Sequence, residues 1–233
     1  MTTRVLFDGL PLAVAGDPTG PRAVIVIQEA FGVNDHIREV TDRFASQGYY
    51  SVAPELFHRV GSPEVPYDDF PAAMAAMATL GEAGIGADLD AAVAHLAAEG
   101  FERRSIAIVG YCMGGTVAFY AATRGAVGAA ASFYGGGIAA GRFGFPPLLE
   151  LAPQLACDWI GLYGDLDKGI PVDQVEALRA AVSSSGHVTE VVRYADADHG
   201  FHCDGRPGVF NAAAAADAHQ RTLAFFRAHL EDK

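Results

Sequence analysis

The chain has 233 residues, 51% of them hydrophobic and 19% charged, with a formal net charge of −12. Residues 1–233 fit one α/β domain and are too few for two well-sized ones, and the apolar content excludes a disordered chain. The acidic balance argues against nucleic acid or an anionic membrane surface as the main partner. Along the chain, Leu10–Ala15 reads as an early strand and Ala23–Gln28 (AVIVIQ) as a strand buried on both faces. Asp35 is placed to cap a helix reaching about Gln47, with Ile37, Val40 and Phe44 on one apolar face and Gly48 at its end. Ser51–Ala53 reads as a short strand stopped by Pro54, and residues 54–71, rich in Pro, Asp and Gly, as an excursion over the sheet.

Helices are expected around Ala72–Leu80 and Ala87–Glu99, the second closed by Gly100. Ser105–Val109 reads as a central strand, Gly114–Thr123 as a helix after a very tight turn, and Ala129–Tyr134 as another strand. Gly135–Asp158, with its GGG, GRFGF and PP runs, is predicted to be a surface loop near the site. Trp159–Tyr163 (strand), Val172–Ser184 (helix), Glu190–Tyr194 (strand) and Asn211–Leu230 (helix) complete the chain. Alternating strands and helices imply a mostly parallel sheet covered on both faces, with the ligand beyond the carboxyl ends of the strands.

No apolar run approaches the roughly 18 residues that a membrane span needs. The opening residues lack a basic start followed by an apolar block, so no secretory signal is expected. Three cysteines, Cys112, Cys157 and Cys203, are too sparse for a disulfide framework. The expected compartment is therefore the cytoplasm.

The sharpest local signal is Gly110-Tyr111-Cys112-Met113-Gly114-Gly115, directly between a strand and a helix. A nucleophile elbow needs this order, because its central residue takes a strained backbone and glycines two positions either side remove the clashes. The helix N-terminus beneath the sulfur favours a thiolate, and the Met113 backbone N–H can meet a developing oxyanion. A free cysteine is more often a small buried hydrophobe, but the strand–Gly-x-Cys-x-Gly–helix setting favours Cys112 as nucleophile. A base must follow. His199 sits in Asp196-Ala197-Asp198-His199-Gly200-Phe201 after the last strand, and two candidate acids, Asp165 and Asp167, follow the preceding strand. Nucleophile, acid, histidine is the chain order of the α/β-hydrolases. Spacing alone does not separate the two acids, one of which can simply cap the next turn.

Four stretches together make the chain resemble the dienelactone hydrolase (carboxymethylenebutenolidase) family. They are Gln28-Glu29-Ala30-Phe31-Gly32-Val33-Asn34, Gly48-Tyr49 through Ala53-Pro54-Glu55-Leu56, the Cys112 elbow, and Ala197-Asp198-His199-Gly200-Phe201. The resemblance implies an α/β-hydrolase fold with an eight-stranded, mostly parallel sheet, helices on both faces and a Cys-Asp-His triad. Measured back from Pro171, its triad acid falls on Asp167. It also implies that Glu29 activates the cysteine when substrate arrives, and that Ala30 supplies the second oxyanion N–H. On residue type alone Glu29 would pass for an ordinary loop charge.

Dienelactone hydrolases proper grip a substrate carboxylate with two arginines, one in the excursion after Pro54 and one four residues beyond the histidine. Here the excursion past Arg59 reads Pro66-Tyr67-Asp68-Asp69-Phe70, and the second position is Cys203. Arg206 and Arg142 are near in sequence, and Arg206 is the candidate substrate-binding residue. The expected partner is a small-molecule ester or lactone, with neutral ones preferred.

A metal site at His199, His202 and Cys203 is set aside because no second His/Cys cluster is visible in the sequence, and no cofactor or metal is expected. The Gly135-Gly136-Gly137 run lacks the lysine and spacing of a phosphate loop. The alternatives to an esterase are a non-catalytic binding module of the same fold and a thiol redox protein.

Overall fold

The computed structural model describes residues 1–233. Its eight strands are β1 (Thr3–Phe7), β2 (Leu10–Ala15), β3 (Arg22–Ile27), β4 (Tyr49–Pro54), β5 (Ile106–Tyr111), β6 (Ala129–Phe133), β7 (Asp158–Gly164) and β8 (Thr189–Tyr194). They form one sheet in the order β1-β2-β4-β3-β5-β6-β7-β8. The β1–β2 and β2–β4 pairs are antiparallel and all others parallel. Between the strands run α1 (Asp35–Ser46), α2 (Phe70–Met77), α3 (Glu82–Ala98), α4 (Met113–Thr123), α5 (Leu148–Leu151), α6 (Val172–Val182) and α7 (Ala212–His229). The mostly parallel sheet of about eight strands expected from the sequence is the one observed.

Strand β1 was not anticipated. Its residues are mostly exposed, so they carry no buried stripe for the eye to find. It is joined to β2 by Asp8-Gly9, both at positive φ (49° and 81°), the hairpin turn that an Asp-Gly pair favours. Asn34, not Asp35, caps α1: its side chain accepts from the Ile37 N–H at 3.3 Å, while Asp35 pairs with Arg38. The next helix starts earlier than expected because Asp69 caps it, accepting from the Ala72 N–H. The 135–158 segment includes the short helix α5.

Burial explains the layers. Every residue of β2, β4, β5 and β6 is buried, as strands covered on both faces must be. Helices α1 and α7 meet through Phe44 and Phe226, while α3, α4, α5 and α6 form successive contacts elsewhere. Strand β6 carries three successive alanines, Ala129–Ala131, which let both α4 and α7 approach.

Chain order reverses at β3. The chain leaves β3 through α1 to β4 on one side, then returns past it to β5 on the other. The loops after β3 and β5 therefore diverge at their carboxyl ends, the usual place for a ligand in such a sheet. Glu29 lies just past β3 and Cys112 just past β5.

Candidate functional site

Cys112 caps α4 with φ 55° and ψ −117°, a conformation that costs an L-residue about 1–3 kcal/mol. Its N–H donates to the Phe133 carbonyl and its own carbonyl accepts from Gly115. The glycines around it are obligatory. A Cβ on Gly110 would lie 1.8 Å from the Gly114 carbonyl oxygen, and one on Gly114 would lie 2.5 Å from the Ile27 oxygen. Those contacts are backbone on backbone, so no side-chain movement relieves them. Ser132 braces the turn from the next strand, donating to the Gly115 carbonyl and accepting from the Trp159 indole.

His199 meets Asp167 through Nδ1 to Oδ2 at 2.6 Å, and Asp167 is buried. The other Asp167 oxygen accepts from the Gly169 and Ile170 N–H groups at 2.8 and 3.2 Å, which fixes the carboxylate's direction. Asp165, two residues earlier, is held elsewhere: Arg193 grips both of its oxygens at 2.8 and 2.7 Å. On its other side His199 is close enough to Cys112 for the sulfur to act on the imidazole electrostatically. Burial alone would lower the imidazole pKa, but the Cys112 sulfur and the Asp167 carboxylate outweigh it and raise it to about 10. The structure thus brings Asp167 onto His199, near Cys112, and leaves Asp165 with Arg193.

Glu29 is buried to 2% exposure and accepts from the Tyr134 hydroxyl at 3.1 Å. Burial first, then the Glu29 charge, pushes Tyr134 well above the usual phenol range, so it stays a neutral donor. Tyr134 has φ 39°, and its ring lies 5.1 Å from that of His199. Sequence reasoning missed this residue. The signal available was a tyrosine at a strand end ahead of Gly135-Gly136, which on type alone reads as core.

The turn Glu29–Gly32 is pinned by Gln28, whose side chain donates to the Glu29 carbonyl and accepts from the Leu56 N–H. Gly32 at φ 85° passes so close to Pro63 that a Cβ would lie 2.3 Å from its carbonyl oxygen. Neither the Ala30 N–H nor the Met113 N–H donates to a backbone or side-chain acceptor, so both remain free for a bound oxygen.

The residues that differ from the resembled pattern are also visible. Cys203 is buried, its thiol donating toward the Tyr67 hydroxyl at 3.3 Å; burial, reinforced by the Glu29 charge, pushes it up to about 12. Arg59 is committed to Asp88 through two contacts of 2.8 Å. Arg206 is half-buried, with its guanidinium 5.5 Å from the Phe31 ring and against Gly200, and it makes no ion pair. Arg142 rests on Phe143 and Met77 and makes none either. His202 is a core histidine packed against the Tyr111 ring and edge-on to Phe133, and burial lowers it well below the usual imidazole range. A 340 Å³ cleft lined by Arg4, Arg38, Glu55 and Glu64 touches neither Cys112 nor His199, and its arginines are already paired.

Residues 12–230 match the dienelactone hydrolase family. The chain belongs to that family. A Pseudomonas putida carboxymethylenebutenolidase is 32% identical over 91% of this chain and 89% of its own. A protein of Escherichia coli O157:H7, provisionally named a carboxymethylenebutenolidase, is 36% identical over 88% of this chain and 76% of its own. The crystal structure of a protein provisionally assigned as a dienelactone hydrolase, from Klebsiella pneumoniae, superposes with a TM-score of 0.88 at 33% identity, covering 97% of this chain and 98% of its own. A Thermogutta terrifontis esterase, 18% identical with a TM-score of 0.69, shares the fold. The family resemblance and the α/β-hydrolase fold read from the sequence both stand. No helix is long and apolar enough to cross a membrane.

Proposed function

We propose that this dienelactone hydrolase family member cleaves carboxylic ester or lactone bonds with Cys112 as nucleophile, His199 as general base and acid, and Asp167 as the orienting carboxylate. One observation carries the reading. Cys112 is held at positive φ at the head of α4, beside a histidine that feels its sulfur and whose Nδ1 lies 2.6 Å from a buried aspartate. A core cysteine has no use for that strain, and a redox thiol has no use for the aspartate.

In this reading the Cys112 thiol passes its proton to His199 Nε2 as its sulfur adds to the substrate carbonyl, and the resulting oxyanion takes hydrogen bonds from the free N–H groups of Ala30 and Met113. His199 gives its Nε2 proton to the departing alkoxide, and the acyl group remains on sulfur as a thioester. For a lactone the alkoxide stays tethered to that acyl group. Water, deprotonated by His199, then attacks the thioester, releasing the carboxylate and restoring the thiol. Asp167 keeps the imidazole in the right tautomer and steadies its cation. Glu29, kept in place by Tyr134, is the second proton acceptor available to the cysteine when substrate enters.

The substrate is a small ester or lactone, and charge decides which. With Cys203 in the family's second arginine position and Arg59 bound to Asp88, a substrate carboxylate finds neither expected partner. Arg206 is the free cation beside Phe31 and is proposed as the one remaining contact. Neutral esters and lactones are therefore preferred. The experiment is a panel of neutral and carboxylate-bearing esters and lactones run on wild type beside Cys112→Ala. Retention of half the wild-type rate by the alanine variant would overturn the assignment.

A further inference from the structure

Glu29, His36 and Cys203 come from three separate segments: the turn after β3, the first turn of α1 and the loop beyond His199. A donor atom from each lies within 4.8 Å of one from each of the others. All three side chains are buried, at 2%, 4% and 0% exposure. Glu29 Oε2 and His36 Nε2 have no hydrogen-bond partner. Buried polar atoms are nearly always satisfied, and one left unpaired is destabilising. Two of them beside one thiol call for a ligand.

We propose that Glu29, His36 and Cys203 form a binding site for a borderline divalent cation of the zinc class, and that its occupancy slows the enzyme by taking Glu29 from Cys112. Imidazole nitrogen, sulfur and carboxylate oxygen form a donor set suited to zinc, whereas magnesium and calcium require oxygens. The surroundings are already those of a metal ligand shell. Asp204 Oδ1 lies 2.9 Å from His36 Nδ1, which leaves Nε2 with its lone pair free, as in carboxylate–histidine–metal arrangements. The Tyr134 hydroxyl occupies Glu29 Oε1 and leaves Oε2 for the ion. The Tyr67 hydroxyl, now accepting from the Cys203 thiol, turns donor once that sulfur is a thiolate.

Binding exchanges the thiol proton, released to solvent, for the cation; no electron is transferred. Glu29 and the Cys203 thiolate then neutralise the ion's two charges. Arg206, whose charge reaches Cys203, opposes the ion. Tetrahedral zinc with ligands at 2.0–2.3 Å needs donors roughly 3.4–3.7 Å apart, so the trio closes by no more than about 1.4 Å on binding. The site itself is independent of the esterase reading; only the inhibitory consequence rests on it.

The test titrates Co²⁺ into Cys112→Ala protein, which lacks the elbow thiol. One ion per chain should bind, with a thiolate-to-cobalt charge-transfer band in the near ultraviolet. Adding Cys203→Ala should abolish the band, and adding His36→Gln should weaken binding about a hundredfold. No band in folded Cys112→Ala protein, or a band indifferent to Cys203→Ala, overturns the site. In otherwise wild-type protein, Zn²⁺ should suppress ester turnover, and Cys203→Ala should need at least about tenfold more of the ion for the same effect. Equal sensitivity of the two would overturn the inhibitory role and place that ion at Cys112–His199. Absence of any esterase activity would instead remove the functional reading and leave the cobalt result standing.

Discussion

The two ends of the parallel strands are built on opposite terms. At the amino ends, Arg22 pairs with Asp232, Arg104 with Glu231, and Asp158 with His229, all but the last through at least one largely exposed partner. At the carboxyl ends stand Cys112 and Tyr134, both at positive φ, with buried Glu29 and buried Asp167 beside them. Exposed pairs of the first kind contribute about 0–1 kcal/mol each. Strain and buried carboxylates of the second kind cost stability and persist only because the surrounding sheet over-determines them. The pairs at the amino ends add little to stability, whereas the groups at the carboxyl ends draw on it.

The most severe break in that contrast is Cys112→Ala, expected to reduce ester turnover by about a thousandfold or more while leaving the protein folded. Cys112→Gly should be equally inactive yet more stable than the alanine variant by about 1 kcal/mol, because glycine adopts the elbow conformation without strain. Chemical denaturation of the two variants measures that difference. A less stable glycine variant would mean that the turn stores no strain.

Next is the pair of acids. Asp167→Asn should lower kcat by about two to four powers of ten, since the asparagine no longer steadies the imidazolium. Asp165→Asn, which only loosens the contact with Arg193, should stay within a few-fold of wild type. The reverse ranking in steady-state kinetics would move the orienting acid to Asp165.

Arg206→Ala sharpens the substrate side. Loss of one charge-assisted contact worth about 1.5–3 kcal/mol should lower kcat/KM for carboxylate-bearing lactones by roughly ten- to a hundredfold, and leave neutral esters nearly unchanged. Equal losses on both substrate classes would remove Arg206 from substrate selection.

A smaller effect should appear in the pH dependence of stability. The folded pKa of His199 is raised to about 10, above the ordinary imidazole value near 6.5. Its contribution is therefore complete below about pH 6.5 and is lost as pH rises through about 10. Denaturation midpoints between pH 7 and 10 should fall more steeply for wild type than for Cys112→Ala, which lacks the sulfur that raises the histidine. Smallest of all, Arg104→Ala at the opposite edge should shift stability by less than about 1 kcal/mol and leave kcat unchanged.

Legibility in the sequence followed the range of the interactions concerned. Strands β2, β3 and β5, helix α4 and the Cys112 elbow were readable to within a residue or two, because apolar runs and glycine spacing record local geometry. Strand β1 was not, since its exposed residues carry no burial stripe. The expectation of no metal rested on the absence of a second His/Cys cluster along the chain. Folding brings Glu29 and His36, 167 or more residues away in the chain, beside Cys203, a juxtaposition that no spacing along the sequence records.

By itself the sequence determined the alternation of strands and helices, the turn that strains Cys112, and the order in which nucleophile, acids and histidine occur. All of these follow from backbone sterics and periodic burial within a few residues. The tertiary structure set Asp167 against His199 and Asp165 against Arg193, where the sequence had only the family resemblance to choose between them, and it alone introduced Tyr134 as the partner of Glu29 and left Arg206 without a counter-ion. Two carboxylates on one short loop have nearly the same local chemistry. Their roles diverge because Arg193 on β8 takes one and a histidine from the next loop takes the other, a choice made by distances across the sheet.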